Sequence, residues 1–196
     1  MNALTEKGDK VLVQPPVYHP FMWVTERNDR TLILNPLKWE NGMYRMDMDA
    51  FRELIKGCKL FILCNPHNPG GVVWKEEELR EIAEICDKEG VLVFSDEIHA
   101  DLTLPPHRHR PFATISEKAR MNSITFMSPS KAFNMPGMTA SHVLIFNPAL
   151  RQRLDCALHL APHPTEDAYA QILPRYDGTC PLHMPDGCCG LQAECG

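Results

Sequence analysis

No run of about 18 consecutive apolar residues occurs in the 196-residue chain, so no helix drawn from it can cross a bilayer on its own. Residues 1–9 carry Glu6, Lys7 and Asp9 ahead of any apolar stretch and so lack the uninterrupted apolar centre of a secretory signal. The expectation is a cytoplasmic protein with no membrane partner. Positive charge is also short: 20 Lys+Arg stand against 25 Asp+Glu, a formal charge of -5, and nothing draws the chain bodily to nucleic acid. None of the eight cysteines has the C-x-x-C spacing that places two thiolates on one zinc ion,. No G-x-x-x-x-G-K-[S/T] loop is present either, which removes the phosphate cradle of a nucleotide hydrolase.

What is present reads as one α/β layer structure with a core of its own, 44% of the residues being hydrophobic and 23% charged,. Val11-Leu12-Val13 and residues 31–34 (TLIL) read as strands. Asn41-Gly42 marks a hairpin, because both residues tolerate positive φ. Asp47 caps a helix carrying Phe51, Leu54 and Ile55. Residues 60–64 (LFILC) are apolar throughout, as a strand inside a parallel sheet must be. Glu76, Glu77 and Glu78 then open a helix with Leu79, Ile82, Ile85 and Cys86 at helical spacing, and Gly90 ends it. Residues 91–94 (VLVF) follow as a strand, reached by a right-handed crossover. Further strands are expected at residues 123–127 and 143–146. Cys58, Cys64 and Cys86 fall inside these patterns as small buried hydrophobes.

After Arg153 the period is lost. Residues 154–196 hold Cys156, Cys180, Cys188, Cys189 and Cys195 and follow neither a strand nor a helix repeat,. We expect an irregular tail, removable without loss of the core, with residues 1–153 as the structured unit. An out-of-frame or alternative-exon segment accounts for the abrupt change better than a zinc module.

Ligands of open α/β sheets lie beyond the carboxyl ends of the strands, so the residues that follow each apolar run carry the chemistry. They are Gln14-Pro15-Pro16-Val17-Tyr18, residues 65–71 (NPHNPGG), Ser95-Asp96-Glu97-Ile98-His99, and Ser128-Pro129-Ser130-Lys131. An aromatic ring, an amide, a carboxylate and a lysine thus meet at one edge. The set suits pyridoxal 5'-phosphate (PLP): Asp96 to keep a pyridine nitrogen protonated, Asn68 to hydrogen-bond a ring oxygen, and Tyr18 to stack on the ring. Lys131 would form the Schiff base and move protons, and Ser128 would hydrogen-bond the phosphate.

Residues 65–71 (NPHNPGG), 95–102 (SDEIHADL) and 128–138 (SPSKAFNMPGM) together resemble the large domain of fold type I PLP enzymes, the aminotransferase class I/II superfamily. The second and third motifs are most similar to its cystathionine β-lyase and cysteine-S-conjugate carbon-sulfur lyase branch, in which His99 stands where transaminases usually carry tyrosine. The resemblance implies a mostly parallel sheet flanked by helices. It also implies α,β-elimination on a sulfur-bearing amino acid, giving thiol, pyruvate and ammonia, and a homodimer for the full-length family. Transamination is the alternative chemistry within the same fold. Such enzymes are roughly twice as long, with a glycine-containing phosphate loop upstream and a carboxylate-binding arginine downstream. Neither is visible here, so weak or absent activity of the partial chain, or a non-catalytic role through association, is a further expectation.

Other roles for the same residues are tamer. Tyr18 would serve as half-buried packing at the start of a helix, and His99 as a satisfied helix histidine. His107 and His109 suggest a metal, but Arg108 and Arg110 would repel a cation, so residues 105–111 read as a solvated loop.

Overall fold

The computed structural model describes residues 1–137 and 140–160. A six-stranded sheet organises them. Its strands are β1 (Lys10–Val13), β2 (Thr31–Leu34), β5 (Cys58–Cys64), β6 (Leu92–Asp96), β7 (Ser123–Met127) and β8 (His142–Leu144), in the spatial order β2-β1-β5-β6-β7-β8. All neighbours are parallel except β7 and β8. A separate antiparallel hairpin joins β3 (Lys38–Glu40) to β4 (Met43–Arg45). Asn41 and Gly42 turn it with φ of 51° and 80°, the left-handed conformation that the Asn-Gly pair supplies at low cost.

Residues 60–64 of β5 are apolar at every position because both sheet faces are covered. Along β5, Phe61 and Leu63 face one core while Leu60, Ile62 and Cys64 face the other, the alternation that a period of two dictates. The first core takes Phe51 from α2 (Met48–Leu54) and Leu79, Ile82, Ala83 and Cys86 from α3 (Glu76–Glu89). It also takes Ala119 from α4 (Glu117–Met121). The second core is met by Phe21 and Met22 of α1 (Pro20–Arg27) and by Leu150 of α6 (Pro148–Leu160).

Helix ends follow the residues at them. Asp47 accepts from the N–H of Ala50 at 3.1 Å and starts α2. The Glu78 carboxylate reaches back to the N–H of Lys75 at 2.8 Å, while Glu76, Glu77 and Glu78 complement the positive end of α3,. Gly90 closes α3 at φ 67°, where a Cβ would be strained.

Strand ends shift by up to two residues from the sequence reading at β1, β5 and β6, and two larger differences lie toward the C-terminus. The last strand covers His142–Leu144 rather than 143–146: it pairs antiparallel with Thr125, Phe126 and Met127 at the sheet edge, and Ile145 leaves the ladder to pack against the second core. The helix α6 runs through Arg153 to Leu160, so residues 154–160 are not irregular. Asn147 Oδ1 accepts from the N–H groups of Ala149 and Leu150, Pro148 suits the first turn, and Leu154, Ala157 and Leu158 are good helix formers. The rest of the expected tail, residues 161–196, lies outside the described residues.

Candidate functional site

Four parallel strands end on one edge of the sheet, and each delivers a residue singled out above. Tyr18 follows β1, Asn68 follows β5, Asp96 ends β6 with His99 three residues on, and Ser128 and Lys131 follow β7 on the short helix α5 (Pro129–Ala132). Two of them share a cavity of about 360 Å³: Asp96 and Ser128 line it with Phe21, Ile62, Phe94 and Phe126. Tyr18, Asn68, His99 and Lys131 lie at the same edge without lining it.

Asp96 sits on the cavity side because Phe94 and Asp96 alternate with Ser95. Its Oδ1 accepts from the N–H of Ile98 at 3.1 Å. Burial pushes its carboxyl above the ordinary value of 3.8, with Glu97 adding to the rise and the Ile98 N–H and His99 opposing it,. His99 precedes a turn of 3₁₀ helix at Ala100–Leu102; its Nδ1 is buried and has no hydrogen-bond partner among the described residues.

Tyr18 is 48% exposed and meets Phe21 in a T-shaped contact at 5.4 Å between ring centroids. Asn68 is half-buried and donates its backbone N–H to Cys64 Sγ at 3.3 Å. Burial pushes that thiol to about 12, which leaves it a packing group rather than a nucleophile. The loops of Tyr18 and Asn68 are tied together by His67, whose Nε2 lies 2.8 Å from the carbonyl of Pro16. His67 also packs edge-on against Trp74 at 5.4 Å. A Cβ on Gly70 would approach His67 Cδ2 and Tyr44 Cδ2 to 3.0 Å, so the second half of the NPHNPGG motif must stay small.

On the far side, Ser128 caps α5. Its hydroxyl donates to the carbonyl of Ala140 at 2.7 Å and accepts from the N–H of Ser130 at 3.2 Å. Lys131 is exposed.

The sequence reading of residues 105–111 as a solvated loop holds for His107, Arg108 and Arg110 and fails for His109. The His109 side chain is 9% exposed, and its Nε2 lies 2.8 Å from Oε2 of Glu97, whose side chain is fully buried. Oε1 of Glu97 accepts from Ser95 Oγ at 2.8 Å and from the N–H of Phe112 at 2.9 Å. Arginines on either side hid this histidine: its partner lies twelve residues away, and no local pattern signals the pairing.

Comparison with known proteins identifies the family. The family model for aminotransferase class I and II matches residues 1–169, and the chain belongs to that family of fold type I PLP-dependent enzymes. It is 43% identical over 160 residues to cystathionine beta-lyase PatB of Bacillus subtilis (strain 168), covering 81% of this chain and 41% of that protein. Among solved structures, PLP-containing cystalysin from Treponema denticola is 36% identical with a TM-score of 0.79, over 86% of this chain and 44% of that one. The PLP-bound C-S lyase from Staphylococcus hominis is 36% identical with a TM-score of 0.74, over 82% and 41%. The chain thus spans about two-fifths of the length of these relatives.

Proposed function

We propose that this chain carries the cofactor face of a PLP-dependent carbon-sulfur β-lyase acting on cystathionine or another amino acid with sulfur on its β carbon. The observation that supports it most is Asp96, a partly buried carboxyl held above its ordinary value on the wall of a cavity, in a chain 43% identical to a cystathionine β-lyase. A carboxyl so placed fits a protonated ring nitrogen, and the unpartnered Nδ1 of His99 fits a polar substituent on the same ring.

When bound, PLP supplies an aldehyde for an amine and a ring that withdraws electrons. Asp96 would hold the proton on the ring nitrogen, Tyr18 would cover one ring face, and Asn68 and His99 would bond the ring oxygen. Ser128 would turn its hydroxyl from Ala140 to the phosphate. Lys131 Nζ would hold the aldehyde in the resting state and then take the proton from the α carbon of the substrate. Departure of the β thiolate, with addition of water, gives thiol, pyruvate and ammonia.

Lys131 is exposed here, and a base in open solvent lacks the positioning on which much of the rate depends. Low turnover by the 196-residue chain is therefore expected. The test is L-cystathionine with added PLP. Keto acid formed without any amino acceptor, and lost in Lys131→Ala, supports a lyase; strict dependence on an added 2-oxo acid would reverse the assignment to an aminotransferase.

A further inference from the structure

A fully buried carboxylate is expensive unless several donors satisfy it, and Glu97 has three: Ser95 Oγ, the N–H of Phe112 and His109 Nε2. None of them touches the cavity. Ser95 and Glu97 lie on the opposite sheet face from Asp96, as strand alternation requires.

Two of these donors pin one segment. His109 and Phe112 hold residues 109–112 against the end of β6, and Asn65 Nδ2 donates to the carbonyl of Arg110 at 3.0 Å, fastening that segment to the end of β5. The backbone of the two strands is joined there as well, since the N–H of Asn65 donates to the carbonyl of Asp96 at 2.9 Å. The N–H of Glu97 donates to the carbonyl of Phe126 at 2.8 Å and ties the other side to β7. Asp96 is therefore flanked in sequence by Ser95 and Glu97, two residues anchored in one buried network.

We propose that Glu97 and His109 are positioning residues: their buried carboxylate–imidazole pair clamps residues 109–112 across the ends of β5 and β6 and thereby fixes the direction in which Asp96 enters the cavity. The assignment rests on the reading of Asp96 as a cofactor contact, and it extends that reading to two side chains that would touch neither cofactor nor substrate. Hydrophobic replacement of such a pair is often tolerated for stability, so the clamp is distinguished from mere packing by what Asp96 senses.

The groups that bear on Asp96 are Glu97 and His99 from its own segment. Across the cavity stand Met1 with its amino terminus, Ile62 and Phe126, and from α5 the hydroxyl of Ser128. Loosening the clamp admits water to this wall, and Asp96 relaxes toward an ordinary carboxylate.

The experiment is carbon-13 NMR of the side-chain carboxyls in the chain without cofactor, with the Asp96 signal identified by its loss in Asp96→Asn. In Glu97→Gln and His109→Asn the Asp96 midpoint is expected to fall by about half a pH unit or more. The double variant should fall no further than the larger single one, because the two residues act as a unit. Ser95→Ala removes one donor and leaves the pair, so a smaller fall of the same sign is expected from a variant that keeps the fold. A lower melting temperature with the Asp96 midpoint unchanged would overturn the clamp, as would a wild-type Asp96 that already titrates as a free carboxylate. Lys131 labelling by PLP and borohydride is read separately. If it fails while the Asp96 midpoint still moves in the variants, the cofactor reading falls and the clamp stands.

Discussion

A carboxylate that trades water for the wall of an apolar cavity loses hydration that one N–H cannot replace, and that imbalance is the working feature of Asp96. Its folded-state value lies above the unfolded 3.8, so the folded chain holds more protons between the two values and stability falls as pH rises through that window. Above the unfolded value the raised carboxyl is a standing cost to the fold. Asp96→Asn, which keeps an acceptor for Ile98, is expected to raise the urea midpoint at pH 7 and to lose that advantage as the pH falls below the unfolded value of 3.8, while weakening cofactor capture; a less stable variant at pH 7 would contradict this. His67 works in the opposite sense. Burial lowers its value below 6.5, against the Pro16 and Cys64 backbone groups that raise it, so the unfolded chain binds the extra proton and stability is lost as pH falls from about 6.5 toward the folded value. His67→Leu leaves the Pro16 carbonyl without its donor, at a cost of about 1–3 kcal/mol, and should flatten the dependence between about pH 7.5 and 5.5. Urea unfolding at both pH values checks it, and an equally steep fall in the variant would clear His67 of the effect.

At the scale of elements, α6 carries the described chain past Arg153. Pro148–Leu160 brings Leu150 to the second core, and a chain stopped at Arg153 keeps little more than one turn of it, well under the length at which a helix persists alone. Ending the chain at 153 should therefore lower the melting temperature relative to ending it at 160, whereas equal melting would show that α6 adds nothing to the core. Residues 154–160 do not announce themselves as helix in the sequence because α6 is a mixed helix without a clear apolar period, with Arg151, Gln152 and Arg153 exposed. Elements with a strong period were legible: β5 and β6 are apolar on two faces, the Asn41-Gly42 turn needs positive φ, and Asp47 caps the helix α2 at its first turn. That the candidate residues gather at one edge was legible for a related reason, since the ends of parallel strands are known once the strands are. The Glu97–His109 pair was not, because its burial depends on a loop folding back over twelve residues, which no local spacing records.

For the whole molecule, the question is whether one sheet edge suffices to select a cofactor. Large apolar side chains stand open on several sides, among them Trp39 at 64%, Leu104 at 75% and Phe133 at 68% exposed, in a chain that spans about two-fifths of its relatives. Phe133 lies two residues beyond Lys131, so the lysine and its surroundings share that exposure. An aldehyde added to such a protein reacts with any surface amine, and selectivity must come from contacts to the rest of the cofactor. On the proposed reading Asp96 would offer a charge-assisted hydrogen bond to the ring nitrogen, worth roughly 1.5–3 kcal/mol, and Tyr18 a ring to stack on. The phosphate would find Ser128 already committed to Ala140, which discounts its hold. Binding should be weak but directed. With PLP added, borohydride reduction and peptide mapping are expected to place the label on Lys131 ahead of the other lysines, and Asp96→Asn should erase that preference without reducing the background. Label spread evenly over the surface lysines would mean that the motifs reach the edge of the sheet without forming a pocket there.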